Sequence, residues 1–343
     1  MDDPYAGVTW HDAGTLGLRG QAWNDEVRDQ PYDRFPVTMR DLVSPELWSL
    51  STCAAGQYVD LRSTATDLFV RWRMGSTDKR ESNMTDRARG GIDCYGRDHA
   101  GVWHWVGCCT PCDHSYGEGK INNLALDGGE RIYRFYLPLM RQTLSLEVGA
   151  RESIEAVTPD PRRPIAYYGT SIVHGSGVSR PGLSHAAQLG RLLDRDVFNL
   201  GFCGRAWCEQ AVADALGRLD PCLFIVDVLP NNSDTELLER LPPFLRTVRA
   251  GQEQTSILLL GDRVFGDAAF MPQRDAAHRA KNRALDMVID TLRQEGMTGL
   301  HVGFHEDWYG ADGEGTTDAS HPNDLGAWRM SRALMPIVRQ IVG

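Results

Sequence analysis

Ser171, Asp318 and His321 have the side chains of an acyl-transfer triad, and their neighbours in the chain suit that use. Ser171 follows the apolar run 165–168 in Tyr168-Gly169-Thr170-Ser171-Ile172-Val173-His174-Gly175. A hydroxyl just past a strand lies open at the sheet's edge, close to backbone amides that can hold an anion. Further on, Asp318-Ala319-Ser320-His321-Pro322 precedes a helical stretch. An offset of three lets the carboxylate turn back onto the imidazole and fix its tautomer, so that His321 can take the Ser171 proton. Two more segments offer donors. The glycines of Asn199-Leu200-Gly201-Phe202-Cys203-Gly204-Arg205 let a backbone N–H come close to a substrate, and Asp227-Val228-Leu229-Pro230-Asn231-Asn232 offers side-chain amides to a developing oxyanion. Each piece has a plainer use as a helix cap or a turn, but their order at successive strand ends joins them into one site. The elbow G-x-S-x-G is absent, because Val173 stands where its second glycine belongs.

The elements that must position these groups fall into two halves. Short strand-like runs separated by turn residues are read at 57–61, 67–74, 101–108, 131–138 and 143–148. The run Asp67-Leu68-Phe69-Val70-Arg71-Trp72-Arg73-Met74 alternates over most of its length, which buries one face and wets the other. These runs predict a β-sandwich over residues 1–158. Thr158-Pro159-Asp160-Pro161-Arg162-Arg163-Pro164 is a proline-rich hinge. From 159 to 343 the pattern becomes strand alternating with helix, with strands at 165–168, 197–200, 223–229, 257–260 and 300–302 and the clearest helix at 276–295. Such alternation predicts a parallel sheet covered by helices on both faces, with its site at the carboxyl ends of the strands.

Composition narrows the partners. A net charge of -10 argues against nucleic acid, whose binding draws on Lys and Arg against phosphate. The start Met1-Asp2-Asp3-Pro4-Tyr5 lacks the basic and apolar parts of a signal peptide and no run of eighteen apolar residues occurs, so a cytoplasmic protein with no membrane partner is expected. Eight cysteines are read as reduced thiols. Cys108-Cys109-Thr110-Pro111-Cys112-Asp113-His114 contains one C-x-x-C with no second to answer it, so no metal is assigned there. No cofactor is required.

The C-terminal half resembles the SGNH or GDSL hydrolase family, whose four blocks contribute Ser, Gly, Asn and His. Ser171 matches the first block, Gly204 the second, Asn231 the third, and Asp318 with His321 the D-x-x-H of the last. The resemblance implies a three-layer α/β/α domain and an oxyanion hole made by the amides of Ser171 and Gly204 and the side chain of Asn231. More narrowly, the chain is similar to a subgroup with a jelly-roll sandwich, like a carbohydrate-binding module, before the catalytic domain. The marks are Gly91-Ile92-Asp93-Cys94-Tyr95, Tyr136-Leu137-Pro138-Leu139, Arg180-Pro181-Gly182, Leu229-Pro230-Asn231-Asn232 and His321-Pro322-Asn323-Asp324-Leu325-Gly326. Thr170 replaces the Asp of the GDS signature, and Arg205 follows Gly204 where Asn is the family expectation.

These readings predict acyl transfer through an ester on Ser171. Hydrolysis of a small acylated metabolite or sugar ranks first, and transfer to an alcohol of a natural-product (polyketide) intermediate second. An inert carbohydrate-binding protein ranks last, because the catalytic set is intact. The expected partners are a small ester or acyl donor and, for transfer, an alcohol acceptor. Around the substrate are placed His174, Arg205, Trp207, Asn232, Phe265 and Trp308, although packing is an equal use for the aromatic ones. The stiff hinge implies a fixed interface, with Gly91 to Tyr95 walling the pocket opposite Ser171.

Overall fold

Alternation along Leu68–Asp78 sends Leu68, Val70, Trp72 and Met74 into a core shared with Leu61, Ile92, Cys94, Phe135, Leu146 and Val148. Two antiparallel sheets enclose that core in the computed structural model, which describes residues 3–79, 82–124, 127–303 and 308–343. One sheet runs Thr9–Asp12, Arg141–Ala150, Leu68–Asp78, Tyr116–Ile121 in spatial order. The other runs Ile154–Ala156, Tyr58–Ser63, Arg131–Tyr136, Ile92–Arg97, Trp103–Cys109, with the short Leu18–Arg19 also paired to Tyr58–Ser63. The predicted sandwich is therefore present, with more strands than the sequence showed.

The C-terminal half is a five-stranded parallel sheet formed by β1 (Ile165–Gly169), β2 (Val197–Gly201), β3 (Leu223–Asp227), β4 (Ser256–Leu260) and β5 (Leu300–Gly303). Their spatial order is β2-β1-β3-β4-β5. The chain goes to one side of β1 to make β2 and returns to the other side to make β3, so β1 ends at the point where strand order reverses. Open α/β sheets leave a crevice there. Helices His185–Leu193 and Asp324–Val342 pack on one face through Ala186, Leu189, Met330, Leu334 and Val338. Helices Gln210–Gly217, Asp234–Gly251 and Pro272–Gln294 cover the other face with Val212, Leu241, Leu245, Leu285 and Ile289. No helix among the described residues is long and apolar enough to cross a membrane.

Much of the stretch from 22 to 50, after the first two strands, leaves the sandwich. Trp23, Phe35, Leu47 and Leu50 share a core with Phe202, Leu216 and Leu229. Buried Arg34 donates to the carbonyls of Asn199 at 3.0 Å and Gly201 at 2.7 Å, and to those of Leu50 and Cys53 at 2.8 Å each. Burial pushes its guanidinium down to about 10, and Phe202 lies 4.5 Å beneath it. A charge held this way binds the early chain to the carboxyl end of β2.

Candidate active site

The nucleophile position is built by close packing of small residues. A side chain at Gly169 would come within 2.8 Å of the Asp227 carbonyl, and one at Gly201 within 2.1 Å of the His174 nitrogen, so only glycine lets the turn after β1 sit on β2 and β3. Thr170 caps the short helix Ser171–His174 by accepting from the Ile172 N–H at 3.3 Å, and Gly175, at φ 111°, ends it. Ser171 therefore stands at the first helical position, with 9% of its surface exposed.

His321 reaches it from the other edge of the crevice, with Nε2 2.8 Å from Ser171 Oγ. The imidazole's Nδ1 lies 2.7 Å from Asp318 Oδ2. Asp318 Oδ1 meanwhile accepts the backbone N–H groups of Ser320 at 3.1 Å and His321 at 2.8 Å, so the carboxylate holds its own turn closed. Ala319 sits in that turn at φ 68°, a left-handed geometry costly for a residue with a Cβ. Burial would raise the Asp318 carboxyl, but the bonds from His321 and Ser320 outweigh it and hold the group below its ordinary value. Asn323 then caps helix Asp324–Val342 by accepting from Gly326 N–H at 3.0 Å. The two loops touch directly: a Cβ on Gly177 would lie 2.5 Å from the Pro322 carbonyl.

The donors predicted for an anion lie on the loops that follow β2 and β3, the strands on either side of β1. Gly204 is exposed at φ 67°, in a turn closed by the Arg205 N–H on the Phe202 carbonyl at 3.1 Å. Asn231 Oδ1 accepts from the Ala206 N–H at 3.4 Å, which turns the NH2 end of the amide away from that bond. Among the described residues the Asn231 NH2 and the backbone N–H groups of Ser171 and Gly204 have no acceptor. Unspent donors of this kind can receive an oxyanion.

The expected pocket residues divide. Asn232 is buried and donates to the carbonyls of Ala206 at 2.9 Å and Val228 at 2.8 Å, so it ties two loops together rather than meeting substrate. His174 is also interior. Its Nε2 lies 2.7 Å from the Leu139 carbonyl and its Nδ1 3.3 Å from Cys203 Sγ, and burial drives it well below the usual imidazole range. Trp308 is wholly buried in the core on one face of the sheet, its ring near Gly303 of β5. Arg205 and Trp207 are half-buried and stacked on each other, with the guanidinium 4.4 Å from the ring. Phe265 lies under Arg274 and next to Gly266, whose N–H bonds the Ala319 carbonyl at 3.0 Å, so it borders the Asp318 turn.

A cavity of about 560 Å³ opens where the halves meet, lined by Glu46, Ser49, Thr77, Lys79, Cys203 and Arg205 among others. Cys203 and Arg205 flank Gly204, so the cavity adjoins the donor loop. Its sandwich wall is the end of Leu68–Asp78. The segment from Gly91 to Tyr95 is elsewhere and does not wall it. Asp93 is fully buried and accepts from Arg180 Nη1 and Gly182 N–H at 2.8 Å each and from Trp105 Nε1 at 2.9 Å, while Arg180 also donates to Tyr95 Oη at 2.7 Å. This motif docks the two halves. The Cys108 to Cys112 loop contains free thiols, with burial pushing Cys109 up to about 11, and no group of three metal-ligating side chains occurs among the described residues.

Two contributors to the site escaped the sequence reading. Arg34 fixes the base of the Gly204 loop, and Asn83 donates through Nδ2 to Asp318 Oδ2 at 2.9 Å. Neither belongs to a motif, and each lies more than a hundred residues from its partner.

A parallel sheet with Ser, Gly, Asn and Asp-x-x-His at its carboxyl edge, behind a β-sandwich, defines the class. The sequence profile of the GDSL-like lipase/acylhydrolase family matches residues 162–339, more than half of the chain, and that of the N-terminus of SGNH-hydrolase-type esterases matches residues 8–155. The chain belongs to the GDSL-like lipase/acylhydrolase family. A solved structure from Bacteroides ovatus, described as a GDSL-like lipase, is 27% identical, with a TM-score of 0.91 over 98% of each chain. The salicylyl-acyltransferase of a tetracycline biosynthetic pathway shares the fold at 17% identity and a TM-score of 0.75, covering 99% of this chain and 95% of its own. A family two carbohydrate esterase from Cellvibrio japonicus shares it at 15% identity and 0.59, over 98% of both chains. No curated protein matches the chain in sequence.

Proposed function

We propose that the protein is a serine esterase acting on small polar esters through an acyl-Ser171 intermediate. The observation that carries this is the unbroken relay from Asp318 Oδ2 through His321 to Ser171 Oγ, with steps of 2.7 and 2.8 Å. Ser171 Oγ attacks the ester carbonyl as its proton passes to His321 Nε2. Charge on the carbonyl oxygen is taken by the Ser171 and Gly204 N–H groups and the Asn231 amide, which have no acceptor among the described residues to give up. The imidazolium, held by Asp318, then gives the proton to the departing alkoxide. Water attacks the acyl-enzyme by the same path in reverse, and Ser171 is regenerated.

Hydrolysis is favoured over transfer because the acid–base arm of the relay, next to Ser171, is open to solvent: 23% of the His321 side chain and 38% of that of Asp318 are exposed. A transferase has to keep water from its acyl-enzyme. The hydroxyl and charged lining of the adjoining cavity suits a polyol ester, such as an acylated sugar, better than a long acyl chain. Mass spectrometry of the acyl-enzyme, with and without polyol or aromatic alcohols, tests this choice. Hydrolysis predicts decay independent of the alcohol, and acceleration with formation of a new ester overturns it in favour of transfer.

A further inference from the structure

We propose that Asn83, carried by the sandwich half, is a positioning residue for the triad carboxylate. This rests on the roles given above to Asp318 and His321.

Asp318 lies on a turn whose carboxylate is more than one-third exposed. Its Oδ1 is fixed by two backbone N–H groups of its own turn, but those bonds leave Oδ2 free to swing about them and to be solvated. Productive catalysis needs Oδ2 on the line of the His321 Nδ1–H bond. The one side chain besides His321 that bonds Oδ2 among the described residues is Asn83, at 2.9 Å. The amide's orientation is determined: reversed, it would set Oδ1 against Oδ2, two acceptors without a proton between them. Asn83 Oδ1 is itself buried without a partner among the described residues, so the bond to Asp318 is what the side chain makes here.

The backbone beneath Asn83 is clamped to the α/β half. Met84 packs against that half's core. Thr85 caps helix Asp86–Gly90 by accepting from Ala88 N–H at 3.1 Å, and its hydroxyl donates to the Ser179 carbonyl at 2.9 Å. Ser179 in turn donates from its backbone to Asp324 Oδ1 at 2.8 Å and from its hydroxyl to Oδ2 at 2.6 Å, at the start of the helix that follows His321. Asn83 and His321 are thus referenced to one frame from opposite directions. An amide held that way restricts Oδ2 at no cost when the imidazolium forms. The sandwich therefore completes the catalytic relay as well as walling the cavity.

The test is steady-state hydrolysis of p-nitrophenyl acetate by Asn83→Ala, Asn83→Asp, Asp318→Ala and the double variant Asn83→Ala with Asp318→Ala, each beside its thermal unfolding midpoint. Positioning predicts a kcat loss of about tenfold for Asn83→Ala with KM within about twofold. The loss should be larger for the isosteric Asn83→Asp, which sets a second carboxylate against the first. In the double variant the Asn83 effect should vanish, because there is no carboxylate left to position. Wild-type kcat in Asn83→Ala overturns the proposal, and so does a loss that multiplies in full onto that of Asp318→Ala. If Asn83→Ala does not fold, Asn83→Asp decides alone: activity near wild type overturns the proposal, and a kcat loss with a native unfolding midpoint supports it. A Ser171→Ala protein that turns over like wild type would instead show that the triad assignment fails.

Discussion

Asp318→Asn should be more damaging than Asp318→Ala, and the hydrogen bonds around the carboxylate say why. In the native protein Oδ1 accepts two backbone N–H groups and Oδ2 accepts from His321 Nδ1 and Asn83 Nδ2. An asparagine has one acceptor, and the turn, with Ser320 and His321 N–H both aimed at the Oδ1 position, will claim it. The NH2 then falls at the Oδ2 position, donor against donor with His321 Nδ1–H. The imidazole escapes by moving its proton to Nε2, so that Nδ1 accepts from the new amide. In that tautomer Nε2 presents a proton to Ser171 Oγ, 2.8 Å away, and cannot take one. The expected kcat loss is roughly 10³- to 10⁴-fold, or about 4 to 5 kcal/mol of barrier, the scale of a triad locked in the wrong tautomer. Alanine leaves the turn weaker but imposes no tautomer, so its loss should be smaller. Initial rates on p-nitrophenyl acetate, with Ser171→Ala as the blank, measure both. Asp318→Asn within about tenfold of wild type, or better than Asp318→Ala, would show that the turn does not dictate the His321 tautomer.

Asn231→Ala should lower kcat by roughly a hundredfold or more at nearly constant KM, since its donor acts on charge present only in the transition state; a change confined to KM would assign it to substrate binding. Asn232→Ala should act on stability instead, because burial leaves the Ala206 carbonyl without its donor and takes one of two donors from that of Val228; a denaturant titration should show a loss of about 1–3 kcal/mol. Asp93→Ala should cost about 3 kcal/mol or more by stranding Arg180 and two further donors at the interface, and a loss below about 1 kcal/mol in urea would mean the halves dock by other means. Burial raises the Asp33 carboxyl to about 6. Its folded value exceeds its unfolded one, so its contribution to stability is full below the unfolded value and is lost as pH rises through about 6. Asp33→Asn should therefore gain on wild type by about 2 kcal/mol between pH 4.5 and 7.5, and parallel stability profiles for the two proteins would contradict that.

The catalytic half was legible because its chemistry and its architecture fall at the same places. All five parallel strands lie where apolar runs placed them, and Ser171, Gly204, Asn231 and His321 all follow the carboxyl ends of strands or precede a helix. The sandwich was half legible. Tyr116–Ile121 was missed because Gly117 and Gly119 interrupt its pattern, yet those glycines are demanded from outside the strand. A Cβ on Gly117 would lie 2.1 Å from the Trp72 ring, and one on Gly119 2.4 Å from Cys109 Sγ. Ile92–Arg97 was missed for a similar reason: Asp93 reads as a turn residue until Arg180 and Gly182 are brought to it. The pocket was the least legible part. An aromatic or histidine beside a catalytic segment has the same local pattern whether it faces substrate or core, and His174 and Trp308 face the core. Asn83 and Arg34 act across contacts that exist only once the halves have docked.

Whether Ser171 is the nucleophile is decided by intact-protein mass spectrometry after treatment with a fluorophosphonate. A triad of Ser171, His321 and Asp318 gives one adduct per chain, located by digestion on the peptide containing Ser171, absent from Ser171→Ala and strongly slowed in His321→Ala. An unmodified wild-type protein, or an adduct on another residue that persists in Ser171→Ala, would contradict it.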